Sequence, residues 1–143
     1  MQNRVHLGPK TVLFKEGEET QKLYLIKKGE VLCLKSTHDR LIPVFLAKEE
    51  DIIGESAMIG DHVSTYSAVT LSKVELLEIP SQNFEEVLKS APGWLVDLTT
   101  IMISRFQHTA NLIAENRVIH PLIVEEDKFP SKLEVEFKRL LDQ

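Results

Sequence analysis

The spacing of apolar residues changes once along this chain, near residue 81, and this change restricts the fold more than any other feature. Before it, apolar residues come in short runs separated by polar loops and turn residues. After it, they recur every three or four residues, which is the helical period. Many short strands at close spacing predict a β-sandwich or barrel rather than alternating strand–helix–strand units. The predicted strand runs are residues 11–14, 23–26, 31–34, 41–46, 66–70 and 74–79.

Three residues add detail to the strand region. Gly29 follows Lys28 between the second and third runs, and this pair predicts a short β-hairpin. Pro43 has no N–H to donate, so the fourth run is predicted to lie at a sheet edge or to carry a bulge. Cys33 lies inside the apolar third run and is predicted to be a small core residue.

The helical part begins with a short helix and continues with a long one. Ser81 is predicted to cap a helix from Asn83 to Lys89. A longer amphipathic helix is predicted from Trp94 to about Asn116. Packing on the β-domain and a dimer seam are nearly equally compatible with this pattern, and we predict a homodimer through the Trp94–Asn116 helix. Its apolar stripe comprises Leu95, Leu98, Met102, Phe106, Thr109 and Ile113.

The segment after Asn116 is interpreted as separate from the domain formed by residues 1–116. Residues 117–143 are predicted to form an acidic linker and a C-terminal amphipathic helix. Ser131 and Glu134 have the spacing of a capping box at the start of that helix. Its apolar face must be buried on the β-domain or on a partner. That face consists of Leu133, Phe137, Leu140 and Leu141.

Charge and hydropathy exclude several classes of protein. The chain has 143 residues and a net charge of −5, and its basic residues are scattered, so nucleic-acid binding is not predicted. No apolar run approaches the roughly 18 residues that a membrane span requires. With one cysteine, Cys33, no intramolecular disulfide can form, and a reducing, cytoplasmic setting is predicted.

Catalytic motifs are absent from the sequence. The histidines do not pair at a metal-ligating spacing, and neither a GxSxG nor a GxxxxGK[ST] motif occurs. Asp39, Asp51 and Asp61 lie in loop segments, where carboxylates favour turns and caps. No catalytic residue, metal or cofactor is predicted, and the chain is interpreted as a non-enzyme.

A candidate binding segment covers residues 51–60, DIIGESAMIG. A strand-to-helix turn at Gly54 would present backbone N–H groups at the start of a short helix, a geometry that binds phosphate. Glu55 would face the same cavity and accept hydrogen bonds from ribose hydroxyls. The alternative interpretation is a surface turn with an acidic helix start.

Motifs along residues 8–116 together resemble the cyclic-nucleotide-binding domain of the catabolite activator protein superfamily. They are Gly17-Glu18, residues 24–31 in the pattern YxIxxGxV, residues 46–55 leading to Gly54-Glu55-Ser56-Ala57, and the closing helices from Phe84 onward. The resemblance implies a β jelly roll with flanking helices and cAMP or cGMP as the ligand. It also implies that Gly54 to Thr65 form the phosphate-binding loop, called the cassette below.

The chain departs from that family pattern at the phosphate. Ser64 stands where the family has an Arg that pairs with the cyclic phosphate, and Thr65 follows with a second hydroxyl. Losing a charge-assisted bond costs about 1.5–3 kcal/mol, roughly ten- to a hundredfold in affinity. Glu50 replaces a family glycine and adds negative charge, whereas a protonated His62 could partly compensate.

Other ligand-side residues of the family pattern are kept. Glu55 holds the ribose position. Thr109 holds a position on the long helix where relatives read the base. Arg105, one turn earlier, is predicted to pair with Glu55. Taken singly, Arg105 and Thr109 are better explained as residues of an ordinary helix surface.

Two functions therefore remain as hypotheses. The first is a regulatory sensor that binds a cyclic nucleotide weakly and transmits binding through the long helix. The second is a degenerate domain that serves as a scaffold for dimerisation or for a protein partner. The segment after Asn116 has no second recognition helix, so DNA binding is not predicted. The helices that precede the β-domain in that family are missing, which predicts a truncated or minimal variant.

Overall fold

The structure, a computed structural model, describes residues 3–142, and these contain eight strands and three α-helices. The strands are β1 (Asn3–Leu7), β2 (Val12–Phe14), β3 (Lys22–Lys28), β4 (Val31–Thr37), β5 (Arg40–Ala47), β6 (Ile52–Ile53), β7 (Ser67–Thr70) and β8 (Val74–Pro80). The helices are α1 (Ser81–Lys89), α2 (Gly93–Glu115) and α3 (Ser131–Leu141). Two short 3-10 helices cover Glu55–Met58 and Glu126–Lys128.

The strands form two antiparallel four-stranded sheets, in the orders β1-β8-β3-β6 and β2-β7-β4-β5. This β-sandwich of the jelly-roll type confirms the predicted fold class, although the sheets do not close into a barrel. The prediction missed β1, which pairs with β8 along its length. Only Val5 and Leu7 of β1 pack toward the interior, so the apolar signal of this edge strand is weak.

The core lies between the sheets and continues onto α2. Both sheets and α2 contribute apolar side chains, and burial of this surface is the main stabilising term of the fold. The fully buried members include Ile26, Val31, Cys33, Ile42, Ala47, Ala68 and Leu76, with Ala110 and Ala114 from α2. Cys33 is thus a core residue, as the sequence predicted.

The hairpin predicted at Lys28 and Gly29 is wrong. β3 pairs with β8 and β6, whereas β4 pairs with β5 and β7, so the chain crosses between the sheets here. Gly29 has φ +90°, and a Cβ at this position would lie 2.2 Å from the Lys73 carbonyl oxygen. The glycine is needed for this close crossing rather than for a hairpin turn.

Pro43 lies in an edge strand beside a bulge, as its missing N–H led us to predict. β5 is an edge strand of its sheet, and its register with β4 shifts between Cys33 and Leu34, where Pro43 pairs. An edge strand and a bulge both leave a backbone position without a ladder hydrogen bond. The sequence prediction is confirmed on both alternatives.

The first two helices lie in the predicted segments, but the Ser81 cap is wrong, because Ser81 is the first helical residue and no side chain caps α1. α1 begins at Ser81 itself, with Pro80 at the N-cap position, and α2 agrees with the prediction within one residue at each end. α2 buries Ile103 and the two core alanines but leaves several large apolar residues exposed in its N-terminal half. These exposed residues are Trp94, Leu95, Leu98, Ile101 and Met102.

α3 covers the outer face of the β2-β7-β4-β5 sheet. Phe137 is fully buried in a second cluster with Leu32, Leu34 and Val69, so the apolar face of α3 packs on its own chain. The capping box is wrong, because no side chain caps this helix and Glu134 instead binds Arg40. Tertiary contact with a guanidinium replaces the local backbone contact.

The preceding acidic segment is not an extended linker throughout. It includes the 3-10 helix Glu126–Lys128, and Lys128 Nζ lies 2.8 Å from a Glu30 carboxylate oxygen. Val124 is buried in the same cluster as Phe137. Within residues 3–142, no helix combines the length and apolarity that crossing a bilayer requires.

Candidate ligand-binding site

The cassette begins at a backbone turn that requires glycine. Gly54 has φ +88°, and a Cβ there would lie 2.9 Å from the Lys22 carbonyl oxygen on the neighbouring strand β3. Both the positive φ and the close approach exclude a side chain without strain. The turn starts the 3-10 helix Glu55–Met58 directly after β6, which fixes the direction of the Glu55 side chain.

Glu55 carries a carboxylate of which one oxygen is satisfied and the other is not. Its Oε2 accepts a 2.6 Å hydrogen bond from the Tyr66 hydroxyl. Its Oε1 is buried and has no hydrogen-bond partner among residues 3–142. Burial raises the pKa of Glu55 above its ordinary value, although the Tyr66 hydroxyl bond and the nearby backbone N–H groups of Glu55 and Gly54 act in the opposite direction.

The Glu55 side chain lines an apolar cavity of about 420 Å³ between the cassette, β5 and the helices α1 and α2. Its volume is within the range of small-ligand sites. Glu55, Tyr66 and Thr99 supply the polar groups. The remaining lining residues are Leu23, Phe45, Ile52, Ile53, Met58, Phe84, Met102, Ile103 and Phe106.

Ser56 and Ala57 tie the cassette to its surroundings. The Ser56 hydroxyl oxygen lies 3.3 Å from the Gln107 side-chain amide of α2, which can donate to it. The Ala57 N–H donates to the Gly54 carbonyl, and the Ala57 carbonyl lies 2.7 Å from His62 Nδ1. His62 therefore supports the backbone of the cassette in this conformation.

Ser64 and Thr65 differ in how their hydroxyls are used. Ser64 is buried, and its hydroxyl donates 2.6 Å to the Tyr66 carbonyl. The Thr65 hydroxyl oxygen is buried without a hydrogen-bond partner among residues 3–142. A cation from outside the cassette contacts Thr65, because Lys35 Nζ donates to the Thr65 carbonyl. The same Nζ lies 3.3 Å from a Glu16 carboxylate oxygen.

Sequence reasoning did not consider Lys35 or identify Tyr66 as part of the site. Lys35 shares the strand face of Val31 and Cys33, so the alternation along β4 could have placed it on the interior side. The sequence predicts Tyr66 only as a strand residue. No local sequence signal indicates that its hydroxyl binds Glu55, eleven positions earlier.

Arg105 and Thr109 are not brought together with Glu55. Both are exposed, and both line a shallow depression on the outer side of α2. Thr99, Met102, Ile103 and Phe106 of α2 line the cavity, whereas Arg105 and Thr109 do not. The Glu55 carboxylate is bonded to Tyr66 instead, so the predicted Arg105–Glu55 pair is wrong in this conformation.

Glu50 occupies an unusual backbone conformation. It has φ +70°, in the left-handed region that glycine adopts without cost. Its carboxylate lies 3.1 Å from Lys27 Nζ, which partly neutralises the negative charge that the sequence placed near the cassette.

The arrangement suits a ligand with hydroxyl donors and a flat apolar body. Glu55 Oε1 can accept from a hydroxyl, and the Thr65 hydroxyl can donate to an anion or a carbonyl. The aromatic and aliphatic walls can cover an apolar ring. Within residues 3–142, no cluster of His, Cys, Asp or Glu has the composition to hold a metal ion.

Comparisons with known proteins agree with this geometry. The family model described as "Cyclic nucleotide-binding domain" matches residues 4–91. A cAMP-dependent protein kinase regulatory subunit of Pyricularia oryzae is 32% identical over 80 residues, which are 56% of this chain and 20% of that protein. The chain therefore spans only a fifth of this curated relative.

Solved structures share the fold. The cGMP-bound form of the EAL enzyme Bd1971 superposes with a TM-score of 0.68 at 26% identity, covering 73% of this chain and 28% of that one. The regulatory domain of Toxoplasma gondii PKA with cAMP has a TM-score of 0.62 at 17% identity, covering 73% and 39% of the two chains. The second likeness concerns the fold alone. With the family model covering well over half of its length, this chain belongs to the cyclic nucleotide-binding domain family.

Proposed function

We propose that this domain is a regulatory sensor that binds a cyclic nucleotide weakly, with Glu55 holding the ribose and α2 responding to binding. The observation that supports it is Glu55 Oε1, an acceptor that is buried beside the apolar cavity and has no hydrogen-bond donor among residues 3–142. An unsatisfied buried acceptor is costly, and a ribose hydroxyl supplies the missing donor. The cavity walls then cover the base.

The phosphate is assigned to neutral donors. These are the hydroxyls of Ser64 and Thr65 and backbone N–H groups near Ser56 and Ala57. The Thr65 hydroxyl has no partner to give up, whereas the Ser64 hydroxyl must leave the Tyr66 carbonyl. Without a cation paired directly to the phosphate, the affinity is expected to be roughly ten- to a hundredfold lower than with an Arg.

The response of α2 follows from its contacts with the site. Phe106 lines the cavity, and Gln107 contacts the Ser56 hydroxyl. A ligand shifts α2 only if its affinity differs between two helix positions. Arg105 and Thr109 join the ligand only in a position of α2 that turns their side toward the cavity.

Calorimetric titration with cAMP and with cGMP at fixed salt tests this function. Glu55→Ala should abolish or strongly weaken binding, whereas the control Glu49→Ala, which removes an exposed carboxylate, should not. Ser64→Arg should tighten binding about tenfold or more. If the unmodified chain binds neither nucleotide and Ser64→Arg rescues neither, the sensor function is rejected.

The second candidate function is a scaffold that dimerises through α2 or binds a protein partner. It is favoured by the exposed apolar residues of α2, of which Met102 is 60% and Leu98 46% exposed. Leu98→Glu should then convert a homodimer to monomers. Thr100→Glu is the matched control, because Thr100 is exposed and lies two residues from Leu98, about 200° around the helix. A monomeric unmodified chain at high micromolar concentration, measured by light scattering, would reject the homodimer.

The domain is further proposed to act without catalysis, without DNA and without a membrane, in the cytoplasm. The acidic net charge of −5 opposes contact with polyanions. The one cysteine, Cys33, is a buried free thiol, which suits a reducing compartment.

A further inference from the structure

We infer that Tyr66 lowers the nucleotide affinity of this site by occupying it from within, with its hydroxyl bonded to the groups of Gly54 and Glu55 that a nucleotide would use. The inference rests on the proposed nucleotide binding and adds the residue that controls it. The residue is not part of the resemblance from which the other site residues were predicted.

The contacts of the Tyr66 hydroxyl carry the inference. It donates 2.6 Å to Glu55 Oε2 and accepts 3.1 Å from the Gly54 N–H. A sugar hydroxyl would make the same two bonds, because it also donates to a carboxylate and accepts from an amide. The phenol hydroxyl therefore fills the hydrogen-bonding positions that a ligand hydroxyl would take. The other carboxylate oxygen, Glu55 Oε1, has no donor within the described part of the chain, residues 3–142.

The ring of Tyr66 is held firmly in place. The residue is 1% exposed, and its ring meets the edges or faces of Phe14 and Phe106 at centroid distances of 5.4 and 6.0 Å. Aromatic pairs in this geometry contribute beyond the area they bury. Because the ring is fixed by these contacts, the hydroxyl stays at Glu55 without a ligand.

A nucleotide that uses Glu55 must share the carboxylate with Tyr66 or displace its hydroxyl. Displacement breaks a hydrogen bond to a charged group, and the nucleotide bond that replaces it gives little net gain. Removing the hydroxyl removes this competition. By the usual strength of such bonds, affinity should rise about tenfold or more.

The same residue connects the site to α2. The Tyr66 ring contacts Phe106, which in turn contacts Phe45 edge-on at 6.1 Å. A ligand that moves the Tyr66 hydroxyl therefore acts on a ring packed against the long helix. This gives the helix a differential contact between the empty and occupied states, which a shift in its position requires.

Tyr66→Phe tests the inference, because it removes the hydroxyl and keeps the ring. Tyr24→Phe is the matched control, since Tyr24 is the only other tyrosine and stacks on Phe14 at 5.9 Å. Calorimetric titrations with cAMP and cGMP are expected to give about tenfold tighter binding for Tyr66→Phe and unchanged binding for Tyr24→Phe. Thermal unfolding reports whether each variant folds.

A second measurement does not depend on the folding of the Tyr66 variant. In the Tyr24→Phe protein, Tyr66 is the one remaining tyrosine, so the ring signals in an NMR spectrum of tyrosine-labelled protein belong to it alone. Saturating cAMP or cGMP should shift these signals.

The outcomes separate the two proposals. If the unmodified chain binds a nucleotide but Tyr66→Phe binds equally or more weakly, or the Tyr66 signals do not move, the role of Tyr66 is rejected and the sensor function stands. Both proposals are rejected if neither nucleotide binds to the unmodified chain, to Tyr66→Phe or to Ser64→Arg, all of which keep Glu55.

Discussion

Glu134→Ala is predicted to weaken the packing of α3 on the β-domain and to destabilise the protein more than an ordinary surface mutation does. Glu134 accepts hydrogen bonds from Arg40 Nε at 2.9 Å, Arg40 Nη2 at 3.3 Å and the Leu41 N–H at 3.1 Å. Leu41 is 3% exposed, so its N–H has no access to water once the carboxylate is removed. The variant therefore leaves a buried donor unsatisfied.

The magnitude follows from the two kinds of contact. An unsatisfied buried N–H costs about 1–3 kcal/mol. The Arg40 side chain is 38% exposed and can return to water, so loss of that ion pair adds about 0–1 kcal/mol. The sum is about 1–4 kcal/mol for Glu134→Ala. Glu134→Gln keeps an acceptor for the Leu41 N–H and should cost only about 1 kcal/mol.

The pH dependence gives a second check. Burial alone would raise the pKa of Glu134, but the bonds from Arg40 and the Leu41 N–H outweigh it, and the pKa lies below its ordinary value of 4.5. The unfolded chain therefore takes up this proton at a higher pH than the folded chain does. The stabilisation is complete above pH 4.5 and is lost as the pH falls through the folded-state pKa.

Urea unfolding followed by circular dichroism measures these differences at neutral and at acid pH. At neutral pH the order of stability should be the unmodified chain, then Glu134→Gln, then Glu134→Ala. The gap between the unmodified chain and the alanine variant should narrow at acid pH. Equal stability of the two variants would refute the argument, since it would mean that the Leu41 N–H does not depend on Glu134. If both variants changed the free energy of unfolding only slightly, residues 117–143 would be a segment separate from the domain, as the sequence indicated.

Three further predictions concern the site and the sheet crossing. Glu55→Gln should be more stable than the unmodified chain at neutral pH, because burial raises the pKa of Glu55 and its ionised form therefore costs stability. In urea unfolding, the difference in stability should vanish below about pH 4.5, and a variant that is less stable at neutral pH would contradict the prediction. Glu50→Gly should be about 1–2 kcal/mol more stable than Glu50→Gln, since both variants lose the Lys27 ion pair but only glycine relieves the left-handed φ of +70°. Equal unfolding midpoints of the two variants would show that the backbone is not strained at this position. Gly29→Ala should lower the unfolding midpoint markedly, because its Cβ would approach the Lys73 carbonyl to 2.2 Å; a neutral effect would mean that the crossing can shift.

The parts of the fold that were predicted from the sequence are those with strong local signals. α2 has a helical apolar period over its 23 residues, and its ends were placed within one residue. Pro43 was placed at an edge and a bulge because its missing N–H acts wherever the strand lies. β1 and the pairing of β3 were missed, since which strands pair depends on contacts far apart in the chain.

The candidate site shows the same division. Gly54 and Glu55 were proposed as site residues because a turn glycine and a following carboxylate are adjacent in the sequence, and Ser64 was proposed by counting back from β8. Tyr66 was not identified, because its bond to Glu55 joins two residues that only the packing of the cassette brings within 2.6 Å. Arg105 was predicted to pair with Glu55 because it lies one turn before Thr109, but which residues of α2 face the cavity is decided by how the helix packs.

By itself, the sequence determined that a β-domain is followed by helices, that Cys33 is in the core, and that a glycine turn precedes an acidic residue. These features depend on neighbouring residues, whose effects on φ, ψ and hydrophobic period act over a few positions. The tertiary structure decided which sheet each strand joins, that Glu134 binds Arg40 rather than its own helix start, and that the Tyr66 hydroxyl donates to one carboxylate oxygen of Glu55. Those outcomes depend on which buried polar groups meet across the fold, and a polar group that leaves water must find its partner wherever the packing puts one.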